Sequence, residues 1–244
     1  MLGGEAAERI AGFWRALRIP APADADHLTT LLGLYATLLE AHASALSQCR
    51  RCTFDDSAIL PVISSAREPL AMLIGQAPGK TEVADRRPFA GRAGRTLFRW
   101  FGDVGIDEAV VRRRIYIAAI TRCFPGPSPS GRGDRVPSPS QIANCSSWLE
   151  AEMELIAPRV IIPVGRLAIE RFLGGAPLNE QVGRAHRLQL GERSTIAIPL
   201  PHPSGASSWI HAPGHMDLVR AALRLIATHV PQLVRESERA RSVA

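Results

Sequence analysis

Four short apolar runs alternate with stretches of helical periodicity, and this alternation limits the fold more than any other feature of the chain. The runs cover residues 70–75, 114–123, 159–165 and 194–204, and helical patterns lie between and after them. Strand and helix in alternation favour a parallel sheet that helices cover on both faces. We therefore expect an α/β fold of three layers, α/β/α, around a central, mainly parallel four-stranded sheet.

The organisation expected around this sheet has three parts. Residues 1–44 form an N-terminal helical extension, residues 45–230 the main domain and residues 231–244 a flexible tail. No apolar run reaches the roughly 18–20 residues that a membrane span needs, and the N-terminus has no secretory signal. We expect a cytoplasmic monomer that does not associate with membranes.

Three loops that follow the apolar runs are unusually rich in glycine, proline and charge. They cover residues 75–95, 123–140 and 201–214. Ligands of open α/β sheets bind outside the carboxyl ends of the strands, so the three loops are expected to meet along one rim. The functional site is therefore predicted there.

The balance of charge is basic, with a formal net charge of +6, and Lys80 is the one lysine among 29 basic residues. The arginine fork matches phosphate oxygens, which favours nucleic acid as a partner. Arginine codons are also rich in G and C, so the composition of the gene is the alternative explanation.

Cysteine usage is the second unusual feature. Cys49 and Cys52 form a C-x-x-C pair, Cys123 ends the second apolar run, and Cys145 lies in the helix predicted after it. Disulfides are rare in the cytoplasm. The four cysteines are therefore either one ligand set or four ordinary buried side chains.

These motifs together resemble the uracil-DNA glycosylase superfamily, and most closely its iron–sulfur, family 4 branch. The first motif is Gly-Gln-Ala-Pro-Gly at 75–79, followed after a spacer by Pro-Phe-Ala-Gly-Arg-Ala-Gly at 88–94. The second is His-Pro-Ser at 202–204, and the four cysteines match the branch in order and context. The resemblance covers roughly residues 45–230. It implies an enzyme that hydrolyses the N-glycosidic bond of uracil in DNA and so starts base excision repair.

The resemblance also implies roles for individual residues, because the target base must leave the duplex and enter a pocket. His202 is expected to donate to the base as negative charge develops, and Phe89 to stack on it. An ordinary core phenylalanine and an ordinary loop histidine are the alternatives. Glycine and proline beside Gln76 let the backbone pass close to the base. The expected base-binding residues are Gly75, Gln76, Ala77, Pro78, Gly79, Phe89, Ala119 and His202.

Two departures from the family pattern bear on specificity. Gln76 replaces the Glu of family 4, and it resembles the Gly-Gln-Asp-Pro motif of another branch, whose Asp is Ala77 here. Ala119 stands where these enzymes usually carry an Asn that reads the uracil edge. A methyl group cannot make that contact, whereas the Gln76 amide both donates and accepts. We expect uracil and other deaminated bases, such as hypoxanthine, to be accepted.

The group that activates the water is not identified by the sequence. Glu82 and Asp85 are the nearest acids to the first motif. Glu82 fits the acidic spacer of family 4, so the expected catalytic residues are His202, Gln76 and Glu82. A solvated loop charge is the alternative for either acid.

Contacts to DNA are expected on both sides of the pocket. Arginines beside the first motif and hydroxyls after the second suit phosphate oxygens. The expected residues are Arg92, Arg95, Ser204, Gly205, Ser207 and Trp209. Trp209 or Ile210 is a candidate wedge that fills the vacated base position. A surface loop anchored by Trp209 is the alternative.

With the family resemblance in place, the cysteines are expected to hold a [4Fe–4S] cluster, with Cys49, Cys52, Cys123 and Cys145 as ligands. Zinc is the competitor, since four thiolates also suit it. One close pair joined by two dispersed cysteines favours the cluster, in a structural role.

Two other functions compete with base removal. One is a damaged-base binder, or a relative that links covalently to DNA through a histidine in an insertion after the Pro-Phe-Ala-Gly motif. No such insertion lies between Gly94 and Trp100. The other is a nucleotide-binding α/β protein, but neither of the usual glycine-rich phosphate motifs is present.

Overall fold

The computed structural model describes residues 25–52, 60–129, 133–204 and 208–243. The strands are β1 (Ala71–Gly75), β2 (Ile115–Ala119), β3 (Val160–Pro163), β4 (His186–Leu190) and β5 (Arg193–Ala197). The helices are α1 (Ala25–Ser47), α2 (Lys80–Asp85), α3 (Arg92–Gly102), α4 (Glu108–Arg114), α5 (Pro139–Ile156), α6 (Arg166–Leu173), α7 (Leu178–Gln181), α8 (His215–His229) and α9 (Pro231–Val243), with a 3₁₀ turn at Ser208–His211. None of these helices is long and apolar enough to span a membrane.

The sheet has five strands in the order β2-β1-β3-β5-β4. All neighbours are parallel except β4, which pairs antiparallel with β5 at the edge. The predicted α/β architecture with a mainly parallel sheet is confirmed, but the expected count of four strands was wrong. The missed strand, β4, carries no apolar run, because it has one neighbour and its residues alternate between half-buried and exposed.

Helices cover both faces of the sheet, as a three-layer fold requires. On one face, Leu73 of β1 packs into a cluster that includes Phe101 of α3 and Leu223 of α8. On the other face, Met72 and Ile74 pack into a cluster that includes Leu149 of α5. Neighbouring residues of β1 thus point to opposite faces and both faces are buried, which explains why the strand is a continuous apolar run.

The C-terminal segment differs from the expected flexible tail, because Pro231–Val243 forms α9. Leu233 and Ser237 of this helix are fully buried. The Ser237 hydroxyl accepts the backbone N–H of Asp107 at 3.0 Å, and Arg241 donates to the Asp107 carboxylate at 2.6 Å. The two buried residues and the hydrogen bonds to Asp107, just before α4, therefore hold α9 against the domain, although most of its residues are polar.

The N-terminal boundary expected at residue 44 falls inside α1. Leu39 and Leu46 of this helix are buried, and Leu39 belongs to the same cluster as the sheet. Residues 1–24, which make up most of the predicted extension, lie outside the described residues. The described part of α1 therefore packs against the main domain and is not separate from it.

Candidate active site

A cleft of about 590 Å³, counted out to its open mouth, lies at the carboxyl edge of the sheet. Gly75 and Ala119 are paired at the ends of β1 and β2, so the loops after these strands start side by side. The cleft brings together all of the expected base-binding and catalytic residues, namely Gly75, Gln76, Ala77, Pro78, Gly79, Glu82, Phe89, Ala119 and His202. The predicted meeting of loops at one rim is therefore observed.

Glu82 holds the first loop of the cleft in shape. Its Oε2 accepts the backbone N–H of Gly79 at 3.1 Å, and its Oε1 accepts the backbone N–H of Gly91 at 2.9 Å. One carboxylate thus ties the start of α2 to the residue before α3. Both oxygens are directed at the backbone, which makes Glu82 a clamp of the loop.

Phe89 lines the cleft in a backbone conformation that few side chains adopt. Its φ is +49°, in the left-handed region, which costs a residue of this kind about 1–2 kcal/mol. A Cβ atom on Gly75 would lie 3.3 Å from Phe89 Cζ, so the aromatic ring rests directly on the end of β1. Such strain at a cleft is typical of a functional position.

Arg112 of α4 is the residue that holds this conformation. Its guanidinium donates to the carbonyl oxygens of Pro88 at 2.9 Å and Phe89 at 3.1 Å, and to Glu108 at 2.7 Å. It also lies 4.3 Å above the ring centre of Phe98. Arg112 is not among the site residues predicted from the sequence, because it is one of three consecutive arginines and nothing local distinguishes it.

Gly94 is required for the same local structure. A Cβ atom there would overlap the carbonyl group of Phe89. The last glycine of the Pro-Phe-Ala-Gly-Arg-Ala-Gly motif therefore lets α3 begin directly beneath the strained residue. This glycine serves close approach, since its position is helical and needs no unusual φ.

His202 is neutral at physiological pH. Burial lowers its pKa below the usual 6.5, although the nearby Glu82 charge opposes the shift. Its Nδ1 accepts the backbone N–H of Ser204 at 3.3 Å and lies 2.9 Å from the Ser204 hydroxyl. Because Nδ1 is an acceptor, the ring proton is on Nε2, which is then the donor available to a ligand.

The Gln76 and Ala119 positions differ in what they offer to a ligand. The backbone carbonyls of Gly75 and Gln76 accept the N–H groups of Ile120 and Thr121, which extends the β1–β2 ladder into the cleft. Within the described residues, no hydrogen bond engages the Gln76 side-chain amide. Ala119 presents a half-buried methyl group. The Gln76 amide is thus free to donate to a base or to accept from it. The residue at the end of β2, Ala119, has no polar side chain that could do the same.

Asp134 also lines the cleft, although it is not among the residues predicted from the sequence. A short hairpin positions it, in which the Arg135 N–H bonds to Gly126 at 2.9 Å and the Ser128 N–H bonds to Gly133 at 3.0 Å. Asp134 is exposed at the edge of the cleft; partial desolvation there, followed by the charge of Glu82, raises the pKa of its carboxyl group. The one sequence feature that distinguishes it is weak, namely that Asp134 is the one acidic residue between Cys123 and Ser140.

The structure describes four of the six residues expected to contact DNA. Arg92 and Arg95 are exposed on the first turn of α3, on either side of Ala93, which lines the cleft. Ser204 engages His202, as described above. Trp209 is half-buried and stacks on His215 with 4.1 Å between ring centres, which favours the anchored loop over an inserted wedge. The remaining two, Gly205 and Ser207, lie outside the described residues.

A second cavity, of about 380 Å³ with its mouth included, is lined by all four cysteines. None of them is in a disulfide. Burial, followed by the proximity of the other three thiols, raises the pKa of Cys123 to about 12. The Asn144 amide lies 3.7 Å from Cys52 Sγ. Across the described ranges, no three His, Cys, Asp or Glu side chains converge closely enough to hold a metal ion.

A buried ionic network connects the two cavities. Arg122 lies beside Cys123 and donates to the carbonyl oxygen of Ala119 at 2.6 Å and to the Glu152 carboxylate. Glu152 also accepts the Tyr116 hydroxyl at 2.8 Å and lies 3.3 Å from His42 Nε2. Arg122 and Glu152 are almost fully buried, so each satisfies the charge of the other.

Comparison with known proteins agrees with this arrangement. The family model of the Uracil DNA glycosylase superfamily matches residues 63–224. The chain is 28% identical over 169 residues to a type-4 uracil-DNA glycosylase of Thermotoga maritima, which covers 68% of this chain and 82% of the relative. It is 30% identical over 131 residues to a type-4 uracil-DNA glycosylase of Saccharolobus solfataricus, 52% of this chain and 56% of the relative.

A shorter similarity, 37% over 65 residues, connects the chain to a type-5 uracil-DNA glycosylase of Pyrobaculum aerophilum and covers 27% of this chain and 26% of the relative. The family match spans more than half of the chain and includes the residues that line the cleft, apart from Val62. The chain therefore belongs to the uracil-DNA glycosylase superfamily.

Proposed function

We propose that this protein is a DNA glycosylase that hydrolyses the N-glycosidic bond of uracil in DNA. The observation that carries the proposal is the single cleft in which an aromatic ring, a neutral histidine and an uncommitted amide meet, at Phe89, His202 and Gln76. This set supplies a stacking surface, a donor for developing negative charge and a group that reads the base edge. Membership of the superfamily supports the same reaction.

The chemistry begins once a base has left the stack and entered the cleft. The Phe89 ring stacks on it, and Arg112 and Gly94 fix the position of that ring. As the bond between the sugar C1′ and the base nitrogen breaks, negative charge develops on the base oxygen. The Nε2–H of His202 donates to this oxygen, and the lowered pKa keeps the ring neutral, so no proton is lost to the base.

The base range is proposed to extend beyond uracil to other deaminated bases such as hypoxanthine. Ala119 places a methyl group where a polar side chain would select one hydrogen-bonding edge, and buried polar groups are the strongest discriminators. The amide of Gln76 can present either its oxygen or its nitrogen. Cytosine in a normal pair is spared mainly because a stable pair costs more to open.

The cysteine cavity fits a [4Fe–4S] cluster, with Cys49, Cys52, Cys123 and Cys145 as its ligands. Four thiols line one cavity, and four thiolates are the usual ligand set of such a cluster. When bound, the cluster supplies iron–thiolate bonds that cross-link the segment after α1, the loop after β2 and α5. Its role is structural, and no step of the reaction passes through it.

The DNA backbone is proposed to lie along the face beside α2 and α3. Five exposed arginines there make no salt bridge within the described residues: Arg86, Arg87, Arg92, Arg95 and Arg99. Unpaired arginines next to a cleft suit phosphate contacts. The protein is proposed to act as a monomer on this substrate.

The test is single-turnover release of uracil from an oligonucleotide, compared between wild type and two cleft variants. His202→Ala is expected to lower the rate about 10²–10³-fold, as removal of an oxyanion donor does. Phe89→Ala should also lower it strongly. His229→Ala changes an exposed histidine at the end of α8 and serves as the matched control. Equal rates in His202→Ala and His229→Ala would contradict the proposed role of the histidine.

A further inference from the structure

We propose that Asp134 is the residue that activates the attacking water in this cleft. The inference rests on the proposed glycosylase function. It concerns activation of the water, the step for which the sequence identifies no residue. Position 77, which carries the water-activating acid in another branch of the superfamily, is an alanine here. Among the described residues, the carboxylates that line the cleft are those of Glu82 and Asp134.

Glu82 is committed to another task. Its two oxygens accept the N–H groups of Gly79 and Gly91, at 3.1 and 2.9 Å, and those bonds hold the loop that carries the base-binding residues. A carboxylate used in this way has its lone pairs directed into the backbone.

Asp134 has the opposite environment. In the described part of the chain no donor is hydrogen-bonded to its carboxylate. Its Oδ2 lies 2.8 Å from the point where a Cβ atom of residue 79 would be, and Glu82 Oε2 lies 2.9 Å from the same point. The absence of a side chain at Gly79 therefore lets Asp134 reach over the loop to the edge of the cleft. The hairpin closed by Arg135 and Gly126 holds it there.

The electrostatic surroundings support a base at this position. Glu82 and His202 are the other titratable groups that line the cleft, and Arg135 follows Asp134 in the hairpin. His202 is neutral, so the charge that Asp134 senses most strongly within the cleft is that of Glu82. Partial desolvation at the rim of the cleft and this charge raise the pKa of Asp134, and a carboxylate of higher pKa is a stronger acceptor of a proton.

The proposed step is balanced without any further reactant. The water oxygen forms a bond to C1′ as the bond from C1′ to the base nitrogen breaks. The electron pair of that bond leaves with the base, whose oxygen is stabilised by His202. The proton of the water passes to the Asp134 carboxylate, which becomes a neutral acid and later releases the proton to solvent.

The test compares Asp134→Asn, which keeps the shape of the side chain, with Asp85→Asn. Asp85 is an exposed acid at the end of α2 that does not line the cleft. We expect Asp134→Asn to lower the single-turnover rate of uracil release about 10²–10⁴-fold, as loss of a general base does. Affinity for an oligonucleotide with a non-hydrolysable uracil nucleotide should stay at the wild-type level. Asp85→Asn should match wild type in both assays.

The pH dependence distinguishes a base from a structural role. The wild-type rate should rise with pH as Asp134 loses its proton, at a pH above the ordinary aspartate range, and Asp134→Asn should lack this rise. An Asp134→Ala variant should regain activity when formate is added, because a small carboxylate can occupy the vacated space. Both measurements remain informative if one of the two variants is less stable than wild type.

The outcomes separate the two proposals. A wild-type protein that releases no base refutes the proposed function. An active wild type, with Asp134→Asn within twofold of it, refutes the role of Asp134 alone. A slow Asp134→Asn variant that keeps the wild-type pH profile also refutes proton transfer to Asp134.

Discussion

Replacing Arg112 by methionine should weaken both the fold and the reaction, because Arg112 holds Phe89 in its strained conformation. The Arg112 side chain is 14% exposed, and its guanidinium donates to the carbonyl oxygens of Pro88 and Phe89. Methionine keeps much of the apolar contact with Phe98 and removes every hydrogen bond. The substitution therefore separates the effect of the guanidinium hydrogen bonds from the effect of packing against Phe98.

The expected magnitude follows from those two bonds. Hydrogen bonds to a charged group contribute about 1.5–3 kcal/mol each, and water can replace part of this at a half-buried site. We expect the free energy of unfolding to fall by roughly 2–4 kcal/mol. The left-handed Phe89 is then free to relax, which releases about 1–2 kcal/mol and lowers the fraction of molecules with a correctly placed ring roughly tenfold.

The assay pairs urea unfolding with single-turnover base release, and Arg113→Met is the control. Arg113 is the next residue of α4, and its half-exposed ion pair with Glu236 should contribute at most about 1 kcal/mol. Arg112→Met should thus be less stable and about tenfold slower than Arg113→Met at saturating substrate. Equal stabilities and rates in the two variants would refute the reasoning.

Four other substitutions test the loop around Phe89, the base range, the cysteine site and the protonation of His202. Gly94→Ala should abolish activity and lower the melting temperature, because its Cβ would overlap the Phe89 carbonyl group; calorimetry and base release check this. Ala119→Asn should narrow the range from uracil and hypoxanthine to uracil, as measured by the ratio of the two rates. Cys145→Ser should lower the iron content, expected at about four per chain, and the yield of soluble protein, both measured after purification. Because the pKa of His202 is lowered in the folded state, its contribution to stability is complete above pH 6.5 and is lost as the pH falls below that value; His202→Gln should flatten the acid side of a stability–pH curve.

The parts of the structure that the sequence predicts are those encoded by neighbouring residues. The apolar runs of the parallel strands, and the motifs at 75–79 and 88–94, need only local patterns to be recognised. A parallel sheet then brings the loops after its strands to one edge, whatever the details of packing. The cleft could be predicted for this reason, before any distance was known.

The features that the sequence does not predict depend on contacts between distant segments. Strand β4 is polar because it lies at an edge, and only its pairing with β5 makes it a strand. Helix α9 depends on a serine, Ser237, that bonds to Asp107 far away in the chain. Arg112 lies in a run of arginines and Asp134 in a proline-rich loop, and both sequences are typical of exposed segments without a function. Their importance comes from the carbonyl groups and the glycine that the fold brings next to them.

The proposed hydrolysis is tested most directly by identifying the products of a reaction with a uracil-containing duplex. Free base is quantified by mass spectrometry, and the DNA strand is followed on a denaturing gel. The account predicts several molecules of free uracil per protein chain, an abasic strand and no protein attached to DNA. Absence of free uracil, or a single equivalent of DNA joined covalently to the protein, would contradict it.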